Sequence, residues 1–347
     1  MIKTGTPKEN SQNRLSLIQR LRMPLPELQE YYREKRKADY EDNQPMYKQI
    51  RFRKRTRPLI LLLLHVYRFI LGNRLVCMGE PPVVDDYPRI YACTHNFRFD
   101  FEMCFETIKK SCWLFMGDPN ETYKNMDGFL LWLNGVILMD TDHRDDCQVG
   151  KETAIRLIEQ GGSLLIYPEG AWNLSENLPV QHLYSGTAEI ALRTGAKIIP
   201  IALEQYGKQY VINTGKPIDP AIYIYVLEKD NNPSSTIDTP DNKRNVLPYG
   251  LEEKKNRITE DLRDVLASLR WEIWERQGIQ KRSSFAPDES IRFRKMIMDQ
   301  SENGYTESEI ERTRFHTEEE IEQNEIAKSL EQIIPSHANA FLFGKYN

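Results

Sequence analysis

The stretch Ile90-Tyr91-Ala92-Cys93-Thr94-His95-Asn96-Phe97-Arg98-Phe99-Asp100 decides how this chain is read. A short apolar run ends in a histidine, and an aspartate follows five positions later. On one continuous helix, residues five apart point about 140° away from each other, so the two side chains could not meet there. They can meet if a strand over 90–94 ends near His95, the chain turns, and Asp100 opens a helix. A carboxylate in the first turn of a helix stays ionised. It would accept a hydrogen bond from one imidazole nitrogen and leave the other to act as a general base. The plainer alternative is a buried histidine next to a helix-capping aspartate.

A second stretch, Leu164-Leu165-Ile166-Tyr167-Pro168-Glu169-Gly170, repeats the arrangement: an apolar run, then a carboxylate in a constrained turn. Pro168 limits the backbone, and Gly170 allows a ligand or another segment to come close. Glu169 could bind hydroxyls or hold a backbone loop. Polar groups at the ends of buried strands are where open α/β sheets build their sites.

Outward from these two stretches, strand and helix patterns alternate. Strands are predicted over 90–94, 112–116, 135–139, 163–167, 197–203 and 209–213. Helices are predicted over 100–110, 128–133, 149–160 and 186–194, the last two stopped by Gly161-Gly162 and Gly195. Such alternation argues an α/β fold with a mostly parallel central sheet flanked by helices. Pro200 suggests an exposed edge or bulge in its strand. Residues 251–277 carry Ile258, Leu262, Val265, Leu269 and Ile273 at spacings of three and four, an amphipathic helix that should pack on the core.

The 347 residues suffice for one large domain with extensions or two small ones; 40% are hydrophobic and 28% charged. The mean hydropathy of -0.60 puts much of the length outside the core. The net charge of -4 hides an uneven distribution. Residues 1–57 hold fifteen Lys/Arg against seven Asp/Glu, and residues 285–347 hold seven against thirteen. A basic front and an acidic tail suggest an anionic partner at the front. The five cysteines form no CxxC pair, which speaks against a zinc site or a disulfide framework and for a reducing compartment. No apolar signal-peptide core follows Met1, so the expected location is the cytoplasmic face of a membrane.

The membrane enters through residues 48–71. Six basic residues in ten (48–57) adjoin the apolar run 58–71. A spanning helix needs about 20 mostly apolar residues. This run is shorter and holds His65 and Arg68, so it reads as an interfacial anchor, peripheral or monotopic, with basic residues for anionic headgroups. The bland reading is a buried helix with a charged collar. Phe52 is the only aromatic within the basic stretch, which argues against a nucleic-acid partner. The expected organisation is a polar and basic region 1–57, an apolar anchor 58–78, a catalytic domain 79–227, a loop 228–248, a packing helix 249–282 and an acidic tail 283–347, helical or partly disordered.

Together the motifs resemble the glycerolipid acyltransferase family, best known from lysophosphatidate (1-acylglycerol-3-phosphate) acyltransferases. The histidine-x4-aspartate block is matched by His95 and Asp100. A second block, glycine followed by apolar residues, is matched by Gly135-Val136-Ile137-Leu138-Met139-Asp140-Thr141-Asp142. The aromatic-Pro-Glu-Gly block is matched by 167–170, and the apolar-proline block by Ile198-Ile199-Pro200-Ile201-Ala202. Ser185-Gly186-Thr187-Ala188 is similar to the helix start between them. The resemblance covers roughly residues 75–225.

The resemblance implies direct acyl transfer, with no covalent enzyme intermediate and no bound metal or cofactor. His95, oriented by Asp100, would take the proton of an acceptor hydroxyl. The donor would be a fatty acyl thioester on coenzyme A or acyl carrier protein. The acceptor would be a membrane lipid, by default lysophosphatidate. It also implies substrate contacts at Glu169, Gly170 and Pro200. Family members that hold a phosphate usually carry arginines in the second block and after the third; here Thr141 and Trp172 stand there, and Asp142 would repel a phosphate. Arg98 and Arg144 are the candidate replacements. Trp172 would stack on a sugar, line an acyl channel or simply pack its loop. The competing expectations are an acceptor without a phosphate monoester, such as a glycan or another lysolipid, and a non-catalytic membrane adaptor.

Overall fold

A computed structural model describes residues 16–43, 45–79, 87–96, 99–117, 126–170, 173, 179–223 and 250–277. Its centre is a seven-stranded sheet: β1 (Arg74–Cys77), β2 (Arg89–Cys93), β3 (Trp113–Gly117), β4 (Val136–Met139), β5 (Leu164–Ile166), β6 (Lys197–Tyr206) and β7 (Gln209–Thr214). The spatial order is β1-β7-β6-β2-β5-β3-β4. All neighbours pair in parallel except β6 and β7, which form an antiparallel hairpin.

Because strand side chains alternate, the sheet buries both faces. Ile90 and Ala92 of β2 belong to one core, with Phe115, Leu164 and Ile198. That face is covered by α6 (Arg144–Glu159), α7 (Gly186–Thr194) and α8 (Leu251–Gln277). Tyr91 and Cys93 belong to the other core, with Leu114, Leu165 and Ile199. Here the cover is α4 (Asp100–Ile108) and Leu131 of α5 (Met126–Asn134). The result is the three-layer α/β arrangement that the alternating pattern predicts.

Four short segments differ from the sequence expectation. β1 is not among the predicted strands and falls within the expected anchor 58–78, yet it pairs in parallel with β7. β6 runs unbroken through Pro200, and it is an interior strand rather than an edge. The Pro200 carbonyl accepts from the Gly215 N–H on the β7 side, 2.9 Å. The missing proline N–H points the same way, beyond the end of the β6–β7 ladder at Ile201–Thr214, so no bond to β2 is lost. Helix α6 starts five residues before the predicted 149, at Arg144. Its first turn carries Asp145 and Asp146, favourable at a helix N-terminus but without apolar periodicity. Gly135, ahead of β4, has φ +99°, and a Cβ there would stand 2.7 Å from the Trp113 ring, so glycine is required.

The N-terminal part is more ordered than its polar composition suggests. Helices α1 (Leu17–Arg22) and α2 (Leu25–Glu41) precede α3 (Tyr47–Leu71), one helix that carries both the basic stretch and the apolar run. Helix α2 docks on α6, with Arg36 donating to both oxygens of the buried Asp146. Two arginines of the basic stretch face inward. Arg57 donates to Asn134 Oδ1 (2.8 Å) and to the Phe105 carbonyl (2.9 Å). Arg53 lies 4.5 Å over the Trp113 ring and donates to the Trp132 carbonyl. Lys48, Arg51, Lys54 and Arg55 are exposed. So are Leu59, Leu62, Leu63, Val66, Phe69 (79%) and Ile70 (73%), and beside them Phe129 and Trp132 of α5. Among the described residues, no helix is long and apolar enough to cross a membrane. The loop 228–248 and the tail 283–347 lie outside the described residues.

Candidate active site

β2 and β5 are neighbours and end at the same edge of the sheet, which brings His95 and the 167–170 turn together. The chain leaves β2 at Cys93, turns, and re-enters helical structure at Asp100. His95 Nδ1 lies 3.0 Å from Asp100 Oδ2. The same oxygen accepts the Asn96 N–H at 2.5 Å, which fixes the carboxylate in the turn. Asp100 is fully buried, whereas 19% of the His95 side chain is exposed. With Nδ1 engaged by the Asp100 carboxyl group, Nε2 on the opposite side of the ring is the nitrogen suited to take a substrate proton.

Tyr167 stacks on the imidazole, with ring centroids 4.2 Å apart and planes 26° from parallel. Its hydroxyl is buried and has no hydrogen-bond partner among the described residues. Burial raises its pKa well above the ordinary phenol value, so it stays neutral. The stack and the Asp100 hydrogen bond together leave the histidine ring little rotational freedom.

Glu169 takes one of the two roles its sequence leaves open. It is 1% exposed, and each carboxylate oxygen accepts a backbone N–H: Oε1 from His95 at 3.0 Å, Oε2 from Gln181 at 2.8 Å. Through these two bonds Glu169 braces the two loops, the loop-holding role of the two. Burial raises its pKa, and Arg270 with the two N–H donors partly offsets that rise. Gly170 adopts φ +69° and donates its N–H to the Tyr167 carbonyl, closing a tight turn that a Cβ would strain.

The other sequence-predicted residues are spread more widely. Pro200 is buried within β6, opposite Ala92 and below the histidine turn. Thr141 and the exposed Arg144 follow β4, three strands from β2, which puts them roughly 14 Å from it at ordinary strand spacing. The neighbouring Asp140 is buried and paired with Arg33 and His143. Arg98 and Trp172 lie outside the described residues.

Sequence reading missed Arg270. This residue of α8 is completely buried and reaches both loops from the far side of the site. The signal was present: an arginine stands between Leu266 and Ile273 on the apolar stripe of an amphipathic helix, where arginine is rare unless paired.

Residues 74–204 match the family model described as Acyltransferase. Among solved structures, the chain is similar to the 1-acyl-sn-glycerophosphate (LPA) acyltransferase PlsC from Thermotoga maritima. The identity is 16%, the match covers 60% of this chain and 80% of that one, and the TM-score is 0.42. No curated protein matches the sequence.

Proposed function

We propose, starting from the match of residues 74–204 to the Acyltransferase family model, that the chain is a membrane-associated O-acyltransferase of glycerolipid metabolism. The observation that carries this reading is the His95–Asp100 pair at 3.0 Å, at the end of a parallel strand and braced by Glu169. His95 Nε2 takes the proton of an acceptor hydroxyl as the oxygen attacks the carbonyl carbon of an acyl thioester. The tetrahedral intermediate collapses, the carbon–sulfur bond breaks, and the proton held by His95 passes to the leaving thiolate. The products are an ester and a free thiol, on coenzyme A or acyl carrier protein.

The lipid surface is supported by the exposed face of α3. Its apolar ridge leads to the reaction centre: Tyr67 meets Phe99 edge-on at 6.2 Å, and Phe99 immediately precedes Asp100. Exposed Lys48, Arg51, Lys54 and Arg55 on the same helix suit anionic headgroups. The chain would then sit on the bilayer, at its cytoplasmic face, with the histidine turn next to the lipid phase.

The default acceptor is 1-acylglycerol-3-phosphate, which would give phosphatidate. A second reading, an acceptor without a phosphate monoester, is favoured by the Thr141 position: no arginine stands there, and Asp140 and Asp142 flank it. The test presents purified protein in lipid vesicles with labelled acyl-coenzyme A and, in parallel, lysophosphatidate and a lysolipid lacking the monoester. Phosphatidate formation establishes the default. Product from the second acceptor alone moves the assignment to it, and no transfer to either refutes both.

A further inference from the structure

We infer that Arg270 of α8 is a positioning residue that clamps the two loops of the candidate active site together. It lies outside the matched stretch 74–204. One side of its guanidinium faces Glu204, which is also fully buried: Nε and Nη2 both donate to Oε2, at 3.1 and 3.0 Å. Trp274 Nε1 donates to the same oxygen at 2.6 Å. This pair neutralises the buried charge without any help from the site.

The third nitrogen points elsewhere. Nη1 donates to Asn96 Oδ1 at 2.6 Å and to the Pro179 carbonyl at 2.8 Å. Asn96 follows His95, and its own N–H holds Asp100. Its amide also donates to the Leu203 carbonyl at 2.9 Å, which pins the turn to β6. Pro179 stands two residues before Gln181, whose N–H holds Glu169, and Glu169 holds the His95 N–H. The bonds therefore form a closed ring: Arg270 to Asn96, along the chain to His95, across Glu169 to Gln181, along the chain to Pro179, and back to Arg270. A planar fork with donors on two sides can join these groups at once; a lysine ammonium is a point donor and cannot. Arg270, Asn96, Glu169, Gln181 and Pro179 are buried and His95 is half-buried, so most of the ring acts in a low-dielectric setting where each bond restrains its partners strongly.

The catalytic consequence rests on the acyl-transfer reading above, but the restraint itself does not. The test therefore has two arms, both on the full chain. The first is site-resolved amide hydrogen exchange on Arg270→Lys, which keeps a cation facing Glu204. Loss of protection at the His95, Asn96 and Gln181 amides is expected, with the strand amides of Leu165 and Ile199 unchanged. The second arm is steady-state acyl transfer: kcat is expected to fall about 100-fold, as for a reacting group displaced by an ångström, with KM for the acyl thioester near its wild-type value. Asn96→Ala, which leaves the Arg270–Glu204 pair intact, covers the case in which Arg270→Lys does not fold, and should show the same losses. The double variant should lose less than the product of the two single losses, as groups acting in one chain of contacts are not additive. Wild-type protection at the three amides in a folded variant would overturn the clamp. So would losses that multiply in the double variant. If the wild type transfers no acyl group at all, the exchange arm still decides the clamp, and the acyl-transfer reading falls by itself.

Discussion

Replacing Glu169 with glutamine changes little in shape and much in hydrogen bonding. The native carboxylate accepts one backbone N–H on each oxygen, from His95 and from Gln181. An amide has one acceptor oxygen and one NH2 donor group, so one of the two backbone N–H groups must face a donor inside a site that is 1% exposed. Leaving a buried donor unmatched costs about 1–3 kcal/mol. Relief from burying a charge offsets part of this, because burial raises the native carboxylate's pKa. The pH dependence gives the sharper test. A carboxyl whose pKa is raised by folding contributes stability below its unfolded value of about 4.3, and that contribution is lost as pH rises through the raised native value. Stability of the native protein relative to Glu169→Gln should therefore decline over that interval and stay level above it. Urea unfolding from pH 4 to 8 on both proteins measures this. Parallel stability curves, or a native curve that gains on the variant over that interval, would refute the placement of Glu169 as a buried brace. Transfer activity of the variant should fall at every pH, since the His95 main chain loses or shares its anchor.

Two further substitutions probe the ring stack and the lipid face. Tyr167→Phe keeps the ring on His95 and removes a buried hydroxyl without a partner among the described residues; thermal unfolding should show a gain of up to about 1 kcal/mol, with transfer unchanged. Tyr167→Ala removes the stack as well, and kcat should fall while the fold persists by circular dichroism. On α3, Leu62→Asp with Phe69→Asp alters two exposed side chains, so unfolding should be unaffected. Binding to anionic vesicles should weaken by about 1.5–3 kcal/mol for each apolar side chain no longer buried in lipid, measured by co-sedimentation; undiminished sedimentation would remove α3 from the membrane surface.

Where the sequence was legible, a local signal and the global fold agreed. The helix over 186–194 ends at Gly195, which adopts φ +69° in its C-cap, and the helix over 251–277 follows its apolar stripe from end to end. The histidine and aspartate could be paired in advance because a strand, a turn and a helix start leave them one way to meet. Hidden features depended on partners distant in sequence. Pro200 signals an edge only if its missing N–H faces a neighbouring strand, and that depends on where β7 stops. Arg53 and Arg57 look like part of a basic surface until Trp113, Asn134 and Phe105 are brought beneath them. Glu169 is followed by Gly170 and resembles an exposed ligand-binding turn, yet two main-chain donors claim both its oxygens. The clamp by Arg270 joins residues 174 positions apart and could be read only from the assembled fold.

The central claim is that the His95 imidazole, set by Asp100, removes the acceptor proton. The direct measurement is acyl transfer from labelled acyl-coenzyme A in lipid vesicles by the wild type and His95→Ala, using whichever lipid acceptor the wild type accepts. The His95 side chain is partly exposed and its main-chain bond to Glu169 does not need the imidazole, so the variant should fold and bind vesicles normally. The account predicts that kcat falls by at least about 10²–10⁴-fold, the usual contribution of a positioned general base. Turnover at the wild-type rate by a folded, membrane-bound His95→Ala protein would contradict it.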